Sequence, residues 1–267
     1  MATSNLRRYA ALLQIQARIS AALAMQYRFD FVVKGMMSAF WLMVTLIPLT
    51  IVFRQKSSMV GWSYPEALVV IGWFVLLKGV LEGGVTPSMA TVTEGIRNGK
   101  FDFTLLKPAD AQFLVSTARF EPWRAVDILG AFAVFIYAFI QLGHPPSLAA
   151  VAKSLALLVV AIVLLYSVWV LVISASFYVV RVDNLSYLLG SLFDAARWPV
   201  NVFHGSLQIL FTVVFPIALM TTYPALALLD RLSFIATLAC CAGGLGFAVV
   251  SRLVWNRAIR SYTSASS

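Results

Sequence analysis

Residues that carry covalent or metal chemistry are scarce here: 267 positions hold two histidines, two cysteines and eleven acidic side chains. Cys240 and Cys241 are adjacent inside an apolar run, and neighbouring cysteines of one helix point in different directions, so no disulfide framework follows. His144 stands beside two prolines and His204 lies far along the chain, with no carboxylate at ligand spacing, which argues against a metal centre. No Gly-x-Ser-x-Gly elbow occurs. The run Gly95-Ile-Arg-Asn-Gly99-Lys100 is one residue short of a phosphate-binding loop, and Phe101 stands where Ser or Thr would hold magnesium. The chain is therefore expected to bind no cofactor, metal or nucleotide of its own and to have no catalytic site.

Charge is also scarce. Only 12% of residues are charged against 61% hydrophobic, and the mean hydropathy is +0.87, more apolar surface than a soluble fold can hide. Charges fall in short clusters between apolar runs that approach the ~20 residues a helix needs to cross a bilayer. A barrel needs segments of roughly ten residues with alternating polarity, whereas the stretch from Ala149 to Val180 is almost continuously apolar. The formal charge of +9 shows no basic stripe interleaved with aromatics, so nucleic acid is not an expected partner. Arg7, Arg8, Arg18 and Arg28 interrupt the first thirty residues, and no cleaved targeting segment is expected.

What remains reads as an all-α membrane protein, a single domain over residues 1–267. Residues 1–30 are expected to form an N-terminal amphipathic interfacial helix, with Leu6, Tyr9, Leu13, Ala17 and Ala24 on one face and Arg7, Gln14 and Arg18 on another. A bundle of six transmembrane helices follows over 31–254, with spans at 31–53, 64–86, 125–142, 148–180, 202–223 and 232–254. Residues 87–124 form a long polar connection between the second and third spans, and 255–267 a tail. The link Pro224 to Arg231 reads as a short turn. Fifteen Lys and Arg, including Arg97, Lys100, Lys107, Arg119, Arg124, Arg181 and Arg197, fall on the side of both termini. Four fall opposite: Arg54, Lys56, Lys153 and Arg231. The positive-inside rule then places both termini in the cytoplasm.

Three features stand out. Lys78 and Glu82 lie four apart within the second span, an intramembrane charge pair that is either functional or mutually neutralised. Gly79 and Gly83, and again Gly243, Gly244 and Gly246, offer small surfaces for close helix contacts within the bundle or between protomers. The connection from Ser88 to Pro108 reads as a short charged helix, a stop at Gly99, and a ridge of Phe101, Phe103, Leu105 and Leu106. Apolar residues amid charges suggest a partner surface, or a segment folded back on the bundle.

The run Ile96-Arg-Asn-Gly-Lys-Phe-Asp-Phe-Thr-Leu-Leu-Lys-Pro108 resembles the cytoplasmic segment after the second span of ABC-2 type transporter permeases. The ending Val254-Trp-Asn-Arg-Ala-Ile-Arg-Ser-Tyr-Thr-Ser-Ala-Ser266 is similar to the closing segment of one bacterial branch of that superfamily. The resemblance implies an ABC-2 (type V) exporter-like fold in the bacterial inner membrane. It implies a membrane-spanning permease subunit of an ATP-driven ABC exporter, moving an amphipathic or hydrophobic substrate. Its partners would be two cytoplasmic ATPase subunits carrying ATP and Mg, a second permease copy or related permease, and membrane lipids. In this family the loop after the second span docks in an ATPase groove, which makes Glu94, Arg97 and Lys100 candidate polar contacts and Phe101, Phe103 and Leu105 candidate anchors. Two alternatives stand beside it. A membrane-embedded lipid or isoprenoid transferase would call for carboxylate clusters, but the acids here are scattered. An ATP-independent secondary transporter would call for internal repeats and broken helices, neither of which the sequence reveals.

Overall fold

The computed structural model describes residues 2–178 and 183–262, with the side chains of 2–6, 97 and 183–186 left aside. Among the described residues there is no strand, only an isolated bridge between Met59 and Trp62. The chain forms α1 (Ala2–Gln26), α2 (Arg28–Gln55), α3 (Tyr64–Val80), α4 (Thr86–Arg97), α5 (Phe101–Leu105) and α6 (Ala111–Ser116). It continues through α7 (Ala125–Leu142), α8 (Leu148–Ala175), α9 (Asp183–Asp194), α10 (Ser206–Ile209), α11 (Tyr223–Leu228) and α12 (Phe234–Arg260). Among the described residues five helices are long and apolar enough to cross a membrane, or six if one bent pair counts as a span.

Short polar residues set the helix starts. Glu66 accepts the Ser63 backbone N–H at 2.8 Å to open α3. The hydroxyls of Ser147 and Ser233 accept the Ala150 and Ala236 N–H groups at 3.0 and 3.2 Å to open α8 and α12. Helix α3 is the hub, almost wholly buried from Glu66 to Leu77. Against it α7 runs antiparallel: a Cβ on Gly72 would come within 2.5 Å of the Phe135 ring, and one on Gly79 within 3.1 Å of Asp127. Gly83 lies against Arg124, and Gly243 and Gly244 lie against Leu219 and Val160, so these glycines serve contacts inside the bundle.

The helix of the expected second span, 64–86, runs on past Thr86. A π-helical turn, Leu81–Val85, joins α3 to α4 without a break, giving one helical rod from Tyr64 to Ile96 that is apolar along α3 and amphipathic along α4. Pro87 has no N–H to give one turn back, and the Gly83 carbonyl instead accepts the Glu121 N–H at 2.8 Å. The rod stops where Gly99 adopts a left-handed conformation, φ 67°.

The expected fifth span, 202–223, is instead broken. Helix runs over Ser206–Val214, stops at Phe215 and resumes over Ala218–Leu228 after a bend of 69°. Pro216 is the physical reason: it forces Phe215 extended (φ −111°, ψ 92°). This is a broken helix of the kind the sequence did not reveal. The link Pro224 to Arg231 is correspondingly not a bare turn, since α11 occupies it as far as Leu228. The expected tail 255–267 begins as helix, because α12 continues to Arg260 with Trp255 and Ala258 buried; 263–267 lie outside the described residues.

The two ends of the bundle differ. At one, Arg231 pairs with Glu66, and Asp230 accepts from Ser147 at 2.5 Å and from Lys153 at 3.2 Å. The opposite end gathers α1, the α4–α7 connection and the end of α12. There α1 lies along residues 108–122: Tyr9 accepts the Asp110 N–H at 3.1 Å and Ser20 the Phe120 N–H at 3.0 Å. Its inward strip is Tyr9, Leu12, Gln16 and Ser20, rotated from the expected apolar face, and Leu13, Ile15, Ile19 and Leu23 are exposed.

Candidate functional site

Beyond Gly99 the chain makes one short helix, α5, whose two phenylalanines face opposite ways. Phe101 is 2% exposed, packed edge-on against Phe177 at 5.3 Å and Tyr262 at 5.5 Å, which ties α5 to the ends of α8 and α12. Phe103 is 68% exposed and Leu106 80%, with Leu105 at 38%. The expected ridge is therefore split: Phe101 is an internal anchor, withdrawn from any partner surface, while Phe103, Leu105 and Leu106 face outward. Glu94 and Lys100 are exposed beside them; the Arg97 side chain lies outside the described residues. Burial pushes the Tyr262 phenol up, and a hydrogen bond with Asp102 adds to it.

Pro108 ends this knob, and its carbonyl accepts from Arg8. Two residues on, Asp110 caps α6 by accepting the Phe113 N–H at 3.0 Å and receives Arg252 of α12 through both oxygens. Arg252 also donates to Gln112 at 2.5 Å, and Gln112 donates to Tyr166 of α8 at 2.9 Å. The Arg252 hydrogen bond holds the Asp110 carboxyl below the usual carboxylate range. The outward knob is thus bolted to the last span as well as to the second.

Deeper in the bundle lies a second polar constellation. Lys78 sits 3.8 Å from Glu82, as the spacing predicts, but its nearer partner is Asp194 at 3.2 Å. Glu82, on the π turn, pairs with Arg124, which donates to Asp127 at 2.9 Å. Asp127 also accepts from Ser38 of α2. Arg197 reaches Asp194 at 4.0 Å and lies over the Phe74 ring, so the link between the fourth and fifth spans packs against α3. Three cations and three carboxylates from α3, α7 and the end of α9 so neutralise one another, the condition on which charges persist in such surroundings. Beside them a cleft of about 490 Å³ is lined by Lys34, Glu82, Thr86, Arg119, Arg124 and Trp169. The pair Lys78 and Glu82 was legible from helical spacing; Asp194, Arg124 and Asp127 were not, because their approach is tertiary.

A family model described as ABC-2 family transporter protein matches residues 39–266, from within α2 to beyond α12. The chain belongs to the ABC-2 family. No curated protein and no solved structure matches it. As an ABC-2 family member it is a multi-pass membrane transport component, and the matched range takes in α5, the Asp110–Arg252 pair and all six charges of the inner network.

Proposed function

We propose that this ABC-2 protein is the permease subunit of an ATP-driven exporter, held in the bacterial inner membrane with both termini in the cytoplasm. Two cytoplasmic ABC ATPase subunits, which bind ATP and Mg, engage a pair of permeases, each through its α4–α5 knob. Family membership supports ABC ATPases as the general class of partner. The observation that carries the reading is the outward Phe103 and Leu106, held at the foot of a helical rod that begins at Tyr64, near the far end. Exposed large apolar side chains ringed by charge have the make-up of an interface core and rim. The exposed Glu94 and Lys100 supply charge for that rim.

Movement of the knob is carried up the rod through the π turn at Leu81–Val85, where the hydrogen-bond ladder is already irregular. That turn carries Glu82, so a change in its pitch works directly on the pairs with Lys78 and Arg124. The cleft beside them has apolar and charged walls together, which suits an amphipathic substrate. The mutual pairing of the six charges favours this reading over an ion-coupled carrier, which needs carboxylates free to take the ion.

The test is co-expression with ABC ATPase subunits, purification and reconstitution in vesicles. Phe103→Asp with Leu106→Asp is expected to abolish ATP-driven transport and ATPase capture while leaving the melting temperature unchanged. Phe101→Ala, by contrast, should cost about 3–4 kcal/mol of stability as a buried aromatic truncation. Retained capture and transport in the Phe103, Leu106 double variant would overturn the proposal.

A further inference from the structure

A second groove, of about 420 Å³, lies between the C-terminal half of α1, the start of α2 and residues 118–123. Ile19, Leu23, Phe31 and Phe120 supply its apolar lining. Two of these, Ile19 and Leu23, are more than half exposed and continue onto the outer face of α2, where Val32, Met36 and Phe40 are also exposed. On a membrane-spanning helix such a face meets acyl chains. The groove also holds two ion pairs, Lys34 with Asp30 at 2.8 Å and Arg119 with Glu121 at 2.8 Å. Glu121 is further fixed by the Trp123 indole N–H at 2.8 Å. Helix α1 meets α2 at Tyr27, next to the groove, which puts both pairs at the end of a span, the depth of lipid headgroups.

We infer that this groove is a binding site for one membrane phospholipid whose headgroup carries both a phosphate and an ammonium. The charge pattern selects that chemistry. Two cations suit the phosphate, while two carboxylates repel a headgroup that is only anionic and attract an ammonium. The Lys34–Asp30 pair is exposed on both sides, and in the other pair Arg119 is exposed while Glu121 is largely buried; an exposed cation gains little from such a pair and is free to turn to a headgroup phosphate. The acyl chains leave along Ile19 and Leu23 onto α2. The groove shares Lys34 and Arg119 with the cleft given above to the substrate, so transport alone does not separate the two sites; lipid retention, which needs neither an ATPase nor a transported substrate, does.

The probe is phosphatidylethanolamine against phosphatidylglycerol in equal parts, in nanodiscs holding the full chain, with retained lipid counted by native mass spectrometry. Phosphatidylethanolamine is expected to be retained about tenfold over phosphatidylglycerol, and Lys34→Gln with Arg119→Gln to abolish the preference. Asp30→Asn with Glu121→Gln should turn the preference towards phosphatidylglycerol, a reversal that a loss of folding does not produce. Leu23→Trp, which fills the groove without touching either ion pair, should release both lipids. Equal retention of the two lipids by the wild-type chain, or a preference unmoved by the carboxylate variants, would overturn the assignment.

Discussion

The carboxylate of Asp110 receives both terminal nitrogens of Arg252, at 2.5 and 3.2 Å, joining the connection after the second span to the last span of the chain. A planar guanidinium facing a carboxylate this way fixes direction as well as distance. With Phe101 clamped between Phe177 and Tyr262, α5 is held to two separate parts of the bundle. Displacement at Phe103 therefore reaches α12 as well as α3.

Stability should depend on pH through this pair, with a definite sign. The Asp110 pKa is lowered from 3.8 in the folded chain by the Arg252 hydrogen bond, so its contribution is complete above that value and is lost as pH falls below it. Because both side chains are more than a third exposed, screening limits the effect to about 1 kcal/mol. Thermal melting of the wild type and Asp110→Asn in detergent is expected to differ by a constant amount from neutral pH down to about pH 5. The two curves should converge below the ordinary carboxylate value; a gap that widens on acidification would refute the assignment of the shift to this pair.

Much of this architecture is legible along the chain, and the rest is absent for identifiable reasons. The spans at α7, α8 and α12 follow from uninterrupted apolar runs with Ser147 and Ser233 marking the starts of the last two. The start of α3 follows from Ser63, Pro65 and Glu66. The continuation of α3 into α4 was hidden because Pro87 normally signals a boundary, and only the approach of Glu121 to the Gly83 carbonyl makes the join tolerable. Likewise five residues of α5 cannot reveal which phenylalanine faces inward, since Phe177 and Tyr262 come from distant parts of the sequence. Pro216 was visible, but a 69° bend depends on what packs on either side of it.

The inner charge network yields an ordering of variants. Arg124 serves both Glu82 and Asp127, so Arg124→Gln leaves Asp127 with Ser38 alone and Glu82 with the longer contact to Lys78. Glu82→Gln is milder, because Arg124 keeps Asp127 and Lys78 keeps Asp194. Losing one partner of a fully buried pair costs about 3–5 kcal/mol; the partial exposure here reduces that to about 2–3 kcal/mol for Arg124→Gln and about 1 kcal/mol for Glu82→Gln. Their combination should cost less than the sum, since the second change removes a carboxylate that the first left under-compensated. Melting temperatures of the three variants decide it, and strict additivity would mean that the two side chains do not interact in the membrane.

Gly72 tests whether α3 and α7 are in as close contact as their packing indicates. A methyl group there would fall 2.5 Å from Cε1 and 2.7 Å from Cδ1 of Phe135, well inside any tolerated separation. The ring cannot simply swing away, because it also packs against Trp73 at 5.5 Å and Phe132 at 6.3 Å. Gly72→Ala must therefore push α7 outward or drive Phe135 off its rotamer, and overpacking of this kind costs about 1–3 kcal/mol. The loss should appear as a lower melting temperature. Phe135→Leu, which frees the space, is expected to cost less in the Gly72→Ala background than in the wild type, because there it relieves the clash that it otherwise replaces with a void. If Phe135→Leu proves equally costly in both backgrounds, the two helices do not meet at these residues.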